Sequence, residues 1–207
     1  MSRNGRIRLV AFDLDGTLLR GDTVCVGIAR GIGTLERMQE MERGYELADR
    51  LSDVAEIASS YLPLGEKRIE SELSRLTPAP GADEGCRLLR DAGVDFVIIS
   101  VTWEFAVRHF AKRFGASDYA ATPLDWTTGE FADFDAENKG PWLEAKIASL
   151  GLRPDQVAAV GDSPNDCGMF EVAGTSFYVG DASGEFANVI HRPDANIIDL
   201  AKEILAL

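Results

Sequence analysis

Three short apolar runs constrain this chain more than any other feature: Ile7-Arg8-Leu9-Val10-Ala11-Phe12, Val94-Asp95-Phe96-Val97-Ile98-Ile99 and Val157-Ala158-Ala159-Val160. Each has the length of a strand buried on both faces and is short for a buried helix. Stretches of helical period follow them, over about residues 82–92, 103–114, 141–150 and 164–173. Short apolar strands alternating with helices build a parallel sheet covered on both faces. The predicted class is α/β.

One stretch breaks the alternation. From about Gly21 to Pro80 the apolar residues recur at spacings of three and four (Leu35, Met38, Met41; Leu47, Leu51, Val54, Ile57), with no β-branched run. Pro63 and Gly65 divide it, and Pro78-Ala79-Pro80-Gly81 ends it. The expected organisation is therefore a core from residues 1–20 and 81–207, with a helical insertion over 21–80 after the first strand. Tyr119 to Phe134 reads as a hairpin turning at Thr127-Thr128-Gly129. Pro141 suits the first turn of a helix ending before Gly151, which leaves Lys139 in the loop ahead of it. A strand is expected over Thr175–Val179 and another over Asn196–Ile198, then a C-terminal helix.

Charge narrows the function classes. The 207 residues carry 34 Asp and Glu against 21 Lys and Arg, a formal net charge of −13. That balance argues against a protein that lives on nucleic-acid phosphates, which needs clustered cations, and against an anionic membrane surface. No apolar stretch approaches the roughly 20 residues of a membrane span, and no secretory leader is expected. Cys25, Cys86 and Cys167 are odd in number and without CxxC spacing, so neither a disulfide framework nor a structural zinc is predicted and a reducing cytoplasm is expected. Only five of the cations are lysines, which makes a lysine in a telling place worth following.

In an open parallel sheet, sites form at the carboxyl ends of the strands. Asp13 and Asp15 follow the first run, Ser100 the second, and Asp162 and Asp166 the third. Lys139 is the sixth member. Four carboxylates crowd together only around a neutralising cation. All-oxygen ligands select a hard cation, and Mg²⁺ is the expectation. Lys139 and Ser100 then face an anion, as at a phosphoryl site. Asp13 and Asp15 do not make a calcium loop of the EF-hand kind: a strand precedes them, and the twelfth position from Asp13 is Val24. Ser100 also suits a helix N-cap. His109 and His191 read as structural, Cys167 as a packed thiol, and Trp103 equally as helix packing or a wall beside a substrate.

Asp13-Leu14-Asp15-Gly16-Thr17, Ser100, Lys139 and Gly161-Asp162-Ser163-Pro164-Asn165-Asp166 resemble, in order and spacing, the four motifs of the haloacid dehalogenase (HAD) superfamily. The insertion resembles the helical C1 cap of its phosphoserine phosphatase-like subgroup, with Thr77-Pro78 before the return to the core and Met169-Phe170 after the fourth motif. The resemblance implies a Rossmann-like three-layer core. It implies that Asp13 is a nucleophile carrying a phosphate and Asp15 a general acid and base. Mg²⁺ is implied to bind Asp13, the Asp15 main-chain carbonyl and Asp162, with Asp166 in support. Ser100, Lys139, Gly16 and Thr17 are implied around the phosphate. The expected substrate is a small phosphorylated metabolite, and the expected assembly a monomer or homodimer. For the cap, Asp22 stands near the acid that meets a substrate amine, but Val54-Ala55-Glu56-Ile57-Ala58 holds no arginine for a substrate carboxylate, so Arg43 or Arg50 is expected to substitute. Phosphoserine is therefore not the favoured ester. Two other readings fit the same core: a sugar-phosphate mutase, and a non-catalytic binding module, which the complete acid set argues against.

Overall fold

The computed structural model describes residues 6–43, 50–181, 186 and 188–207. The chain enters through β1 (Leu9–Phe12), turns, and runs through a two-residue strand β2 (Leu19–Arg20). Four helices follow: α1 (Val24–Ile32), α2 (Leu35–Arg43), α3 (Arg50–Tyr61) and α4 (Glu66–Leu73). The chain returns through β3 (Thr77–Pro78), which pairs antiparallel with β2. Beyond it come α5 (Ala82–Asp91), β4 (Asp95–Trp103), α6 (Glu104–Phe114) and β5 (Asp118–Thr122). Then follow α7 (Ala136–Ser149), β6 (Val157–Gly161), α8 (Cys167–Val172), β7 (Thr175–Tyr178), β8 (Ile190–His191) and α9 (Ile197–Leu205).

Six strands form one sheet in the order β5-β4-β1-β6-β7-β8. Every neighbouring pair is parallel. Successive side chains point to opposite faces, and both faces are covered. Val10, Phe12, Phe96, Ile98, Ala158 and Val160 share one apolar cluster with residues of α5, α6 and α9. Leu9, Ala11, Val97, Ile99, Val157 and Ala159 share the other with Leu143 and Ile147 of α7 and Met169 and Phe170 of α8. The three-layer α/β arrangement follows from this pattern: a strand apolar on both sides needs a helix layer on each.

The four helices between β2 and β3 also follow the sequence pattern. Thr23 caps α1 by accepting from Val26 N, and Gly33 ends it with φ +82°. The break at Pro63 and Gly65 separates α3 from α4. Leu47, read as part of the helical stripe, lies outside the described residues.

Several expectations are corrected. The segment after β5 is no regular hairpin: a single bridge, Leu124 to Phe131, closes a loop whose turn is held by Thr127 N and Thr128 N donating to Asp125 Oδ1. The strand expected over 196–198 is the start of α9, because the Asn196 side chain accepts from Ile198 N and caps a helix there; β8 lies earlier, at Ile190–His191. Strand β4 runs on to Trp103, past the expected end at Ile99, so Ser100 is not a helix N-cap; Trp103 holds that position for α6.

Helix α9 packs closely on α5. A Cβ on Gly85 would stand 2.6 Å from the Ile197 carbonyl oxygen, which is backbone and cannot swing away. Gly85→Ala should therefore lower stability by about 1–3 kcal/mol, the usual cost of overpacking, seen as a lower urea midpoint with an unchanged slope.

Candidate active site

The central strand and its two neighbours deliver the acids. Phe12 pairs with Ile98 on β4 and with Val160 on β6. Asp13 is one residue beyond that level, and Ser100 and Asp162 are two residues beyond it. Asp13 and Asp162 therefore stand just past the ends of β1 and β6, beside Ser100, which is inside the longer β4. Asp13 is 4% exposed and Ser100 1%. Carboxylate oxygens of Asp13, Asp162 and Asp166 all lie within 4.8 Å of one another.

Lys139 answers this charge. Its Nζ donates to Asp13 Oδ1 and to Asp166 Oδ1, both at 2.7 Å, and it is itself 1% exposed. The lysine is in the first turn of α7, not in a loop ahead of a helix. Asp135 and Asn138 form a capping box that starts the helix at Ala136, and Pro141 lies inside it. Gly140 and Gly168 then let α7 and α8 approach: a Cβ on Gly140 would be 2.8 Å from the Gly168 carbonyl oxygen. That close approach brings Lys139 to Asp166. The other oxygen of Asp166, Oδ2, accepts from Asp162 N and Ser163 N. Asp166 is thereby fully buried and fixed on three sides.

Gly16 and Thr17 support the second acid. Gly16 has φ +82°, and a Cβ there would overlap the Asp162 carboxylate. Thr17 Oγ1 donates to Asp162 Oδ1 at 3.4 Å. The turn itself is tied by Thr17 N, Leu18 N and Leu19 N, all donating to the Leu14 carbonyl.

Asp15 has a different surrounding. Its side chain is outside the three-acid cluster, and its Oδ1 accepts from Val24 N, at the start of α1, at 2.8 Å. Asp22 is elsewhere engaged: both oxygens accept from Arg30, at 2.8 and 3.0 Å, and the pair is partly exposed. The side chains of Arg43 and Arg50 lie outside the described residues.

The electrostatics call for a cation. Burial is the largest influence on Asp13 and pushes its carboxyl well above the ordinary range. Lys139 opposes this, while Asp166 and Asp162 add to it. Burial also pushes Asp162 up to about 6, with Asp166 acting in the same direction. Lys139 and the half-buried Arg20, which acts on Asp162 from β2, do not balance three acids. The set is all carboxylate oxygen, which suits a hard divalent ion and not a soft one.

Sequence reasoning missed Asp135 and the Gly140–Gly168 contact. Asp135, with Asn138 three residues on, was a readable N-terminus signal. The glycine contact is visible only once α7 and α8 are placed.

Residues 10–171 match the family model of the haloacid dehalogenase-like hydrolases. The phosphoserine phosphatase of Methanocaldococcus jannaschii is 31% identical over 178 residues, covering 81% of this chain and 82% of that protein. A solved phosphoserine phosphatase in apo form superposes with a TM-score of 0.78 at 22% identity, covering 95% of this chain and 98% of that one. A phospho-aspartyl intermediate analogue of phosphoserine phosphatase gives a TM-score of 0.69 at 25% identity, covering 84% and 87%.

Raised acids make the metal-free site sensitive to pH. A carboxyl whose folded pKa is raised supports the fold at low pH, and that support is lost as pH rises through the folded value. For Asp162 the window runs from the ordinary value of 3.8 to about 6. In chelator, Asp162→Asn should therefore exceed wild type by about 1–3 kcal/mol above that window, with the difference vanishing below it. Denaturant titrations on both sides of the window check this.

Proposed function

The chain belongs to the haloacid dehalogenase-like hydrolase family and is a phosphoric monoester hydrolase within it, and we propose that it works with Mg²⁺ on a small phosphorylated metabolite through a phosphate carried on Asp13. The observation that carries this is the cluster of Asp13, Asp162 and Asp166, with the buried Lys139 Nζ bridging Asp13 and Asp166. Asp13, the Asp15 main-chain carbonyl and Asp162 would hold the ion, with Asp166 in support. The ion would neutralise these acids and the phosphoryl oxygens.

Asp13 has the placement of a nucleophile: buried, at the end of the central strand, and oriented by an ammonium 2.7 Å away. Its carboxylate oxygen attacks phosphorus, and the ester P–O bond breaks. The departing alkoxide takes its proton from the Asp15 carboxyl. In the second half, the Asp15 carboxylate takes a proton from water, whose oxygen attacks phosphorus as the bond to Asp13 breaks. Lys139 and the Ser100 hydroxyl hold the phosphoryl oxygens, with the Gly16-Thr17 turn shaping the pocket. Asp166 positions Lys139.

Residues 21–80 serve in this reading as a cap over the core formed by 1–20 and 81–207. Val24 N on Asp15 links the first cap helix to the proton-transfer group. Closing the site from water protects the phosphorylated Asp13 until the leaving group has gone. Phosphoserine is one member of the ester class, supported by the names of the relatives. A cytoplasmic setting is part of the proposal; no helix among the described residues is long and apolar enough to cross a membrane.

Hydrolysis of p-nitrophenyl phosphate with Mg²⁺ tests the assignment. Asp13→Asn and Asp15→Asn should each lose at least about 10³-fold in turnover, and acid-quenched wild type should yield a phosphorylated peptide that contains Asp13. Equal rates for wild type and Asp13→Asn would rule the assignment out.

A further inference from the structure

A cavity of about 120 Å³ lies where the insertion joins the core, and none of Asp13, Asp15, Ser100, Lys139, Asp162 and Asp166 lines it. Its wall holds Arg20 of β2, Arg30 of α1 and Arg75 just ahead of β3, together with Gly21, Asp22 and Thr77. Arg20 and Thr77 are paired across the two connecting strands. Three guanidiniums thus share the wall with one carboxylate, in a chain whose net charge is −13.

Two of these cations have partners. Arg30 donates from Nε and Nη2 to Asp22, and Arg75 Nε stands 3.1 Å from Glu72 Oε2. Nη1 of Arg30 and both Nη groups of Arg75 are outside these pairs. Arg20 differs. Its Nη2 is buried and has no hydrogen-bond partner among the described residues. Asp162 and Asp194 act on it through their fields, but burial outweighs them and pulls the guanidinium below its ordinary range. A buried charged donor without an acceptor costs free energy. Methionine would pack on β2 without that cost, so packing does not account for the guanidinium. An anion in the cavity supplies the missing acceptor.

Size and chemistry narrow the anion. The cavity is far below the roughly 300–1,000 Å³ of a site for a drug-sized ligand, and no aromatic residue lines it. Its donors are guanidiniums, whose planar fork matches the paired oxygens of an oxyanion better than a halide. We propose that this cavity is a second anion site, separate from the phosphoryl site, taking one free tetrahedral oxyanion of the sulfate or inorganic phosphate class on Arg20 Nη2, with Arg30 and Arg75 completing the contacts. Held there, the ion ties α1 to the chain on both sides of the joint between insertion and core.

Isothermal titration of sulfate into the full chain tests this, in chelator and at constant ionic strength set with chloride. Without a divalent ion, the three acids beside Lys139 disfavour an anion at the catalytic position. Wild type should bind one sulfate per chain. Arg20→Met should weaken binding at least about tenfold, the loss of a charge-assisted hydrogen bond. Arg75→Gln, at an exposed position, should weaken it about threefold, and it keeps the test if Arg20→Met does not fold. Ser100→Ala should leave sulfate affinity unchanged within about twofold. Glycerol phosphate, whose phosphoryl group carries a substituent, should bind more weakly than sulfate. No saturable sulfate binding by wild type, or the same affinity in both arginine variants, would overturn the site. A loss with Ser100→Ala would also overturn it, by placing the ion at the catalytic position. Glycerol phosphate binding as tightly as sulfate would overturn it as a site for a free oxyanion. None of these measurements uses turnover, so the phosphatase assignment stands or falls separately on p-nitrophenyl phosphate.

Discussion

A single buried ammonium holds the site together. Lys139 Nζ lies between Asp13 and Asp166 with almost no contact with solvent. A buried charge repays its lost hydration only when its partners are placed with small tolerance. Much of the local structure supplies that tolerance. The capping box at Asp135 sets where α7 begins, and so which residue of its first turn faces the sheet. The facing glycines 140 and 168 set how closely α7 meets α8. The two amides of Asp162 and Ser163 stop Asp166 from turning away. The β1 register then brings Asp13 to the remaining side.

The same geometry explains which parts of the site were legible in the sequence. Asp13, Asp162 and Asp166 follow apolar runs, and the carboxyl end of a parallel strand is a place that pattern alone predicts. Lys139 was legible as a residue but not as an element, because Pro141 suggested a later helix start than the Asp135 side chain imposes. Ser100 was expected just past a strand end, where it also suited a helix cap, whereas β4 continues three residues past it. The insertion was less legible. An acid such as Asp22 has no local signal that says it is held by Arg30.

Insertion and core are joined by more than chain connectivity. Arg108 on α6 pairs with Glu66 and Glu70 of α4, while Glu104 on α6 holds the same guanidinium and accepts from the Tyr119 hydroxyl. Beneath this polar contact, Tyr61 meets Trp103 and Phe105, and Trp103 and Phe105 extend to Phe131 and Trp126. The apolar contact is buried and insensitive to salt. The ionic one is about two-fifths exposed at Arg108 and is weakened by added salt.

The position of β1 has a consequence for how the molecule is made. Its two sheet partners are Asp95 to Ile98 and Val157 to Val160, so the central strand is synthesised well before either of them and its second edge waits for residues 157–160. Contacts that close such long loops slow folding. A nascent chain leaving the ribosome would carry an exposed apolar N-terminal strand while the four-helix segment and most of the first layer emerge. The three mutually repelling acids come together only when β1 pairs with β6. The pairing that completes both edges of β1 is thus also the one that creates the charge cluster, and a cation present at that moment would favour the fold as well as occupancy of the site.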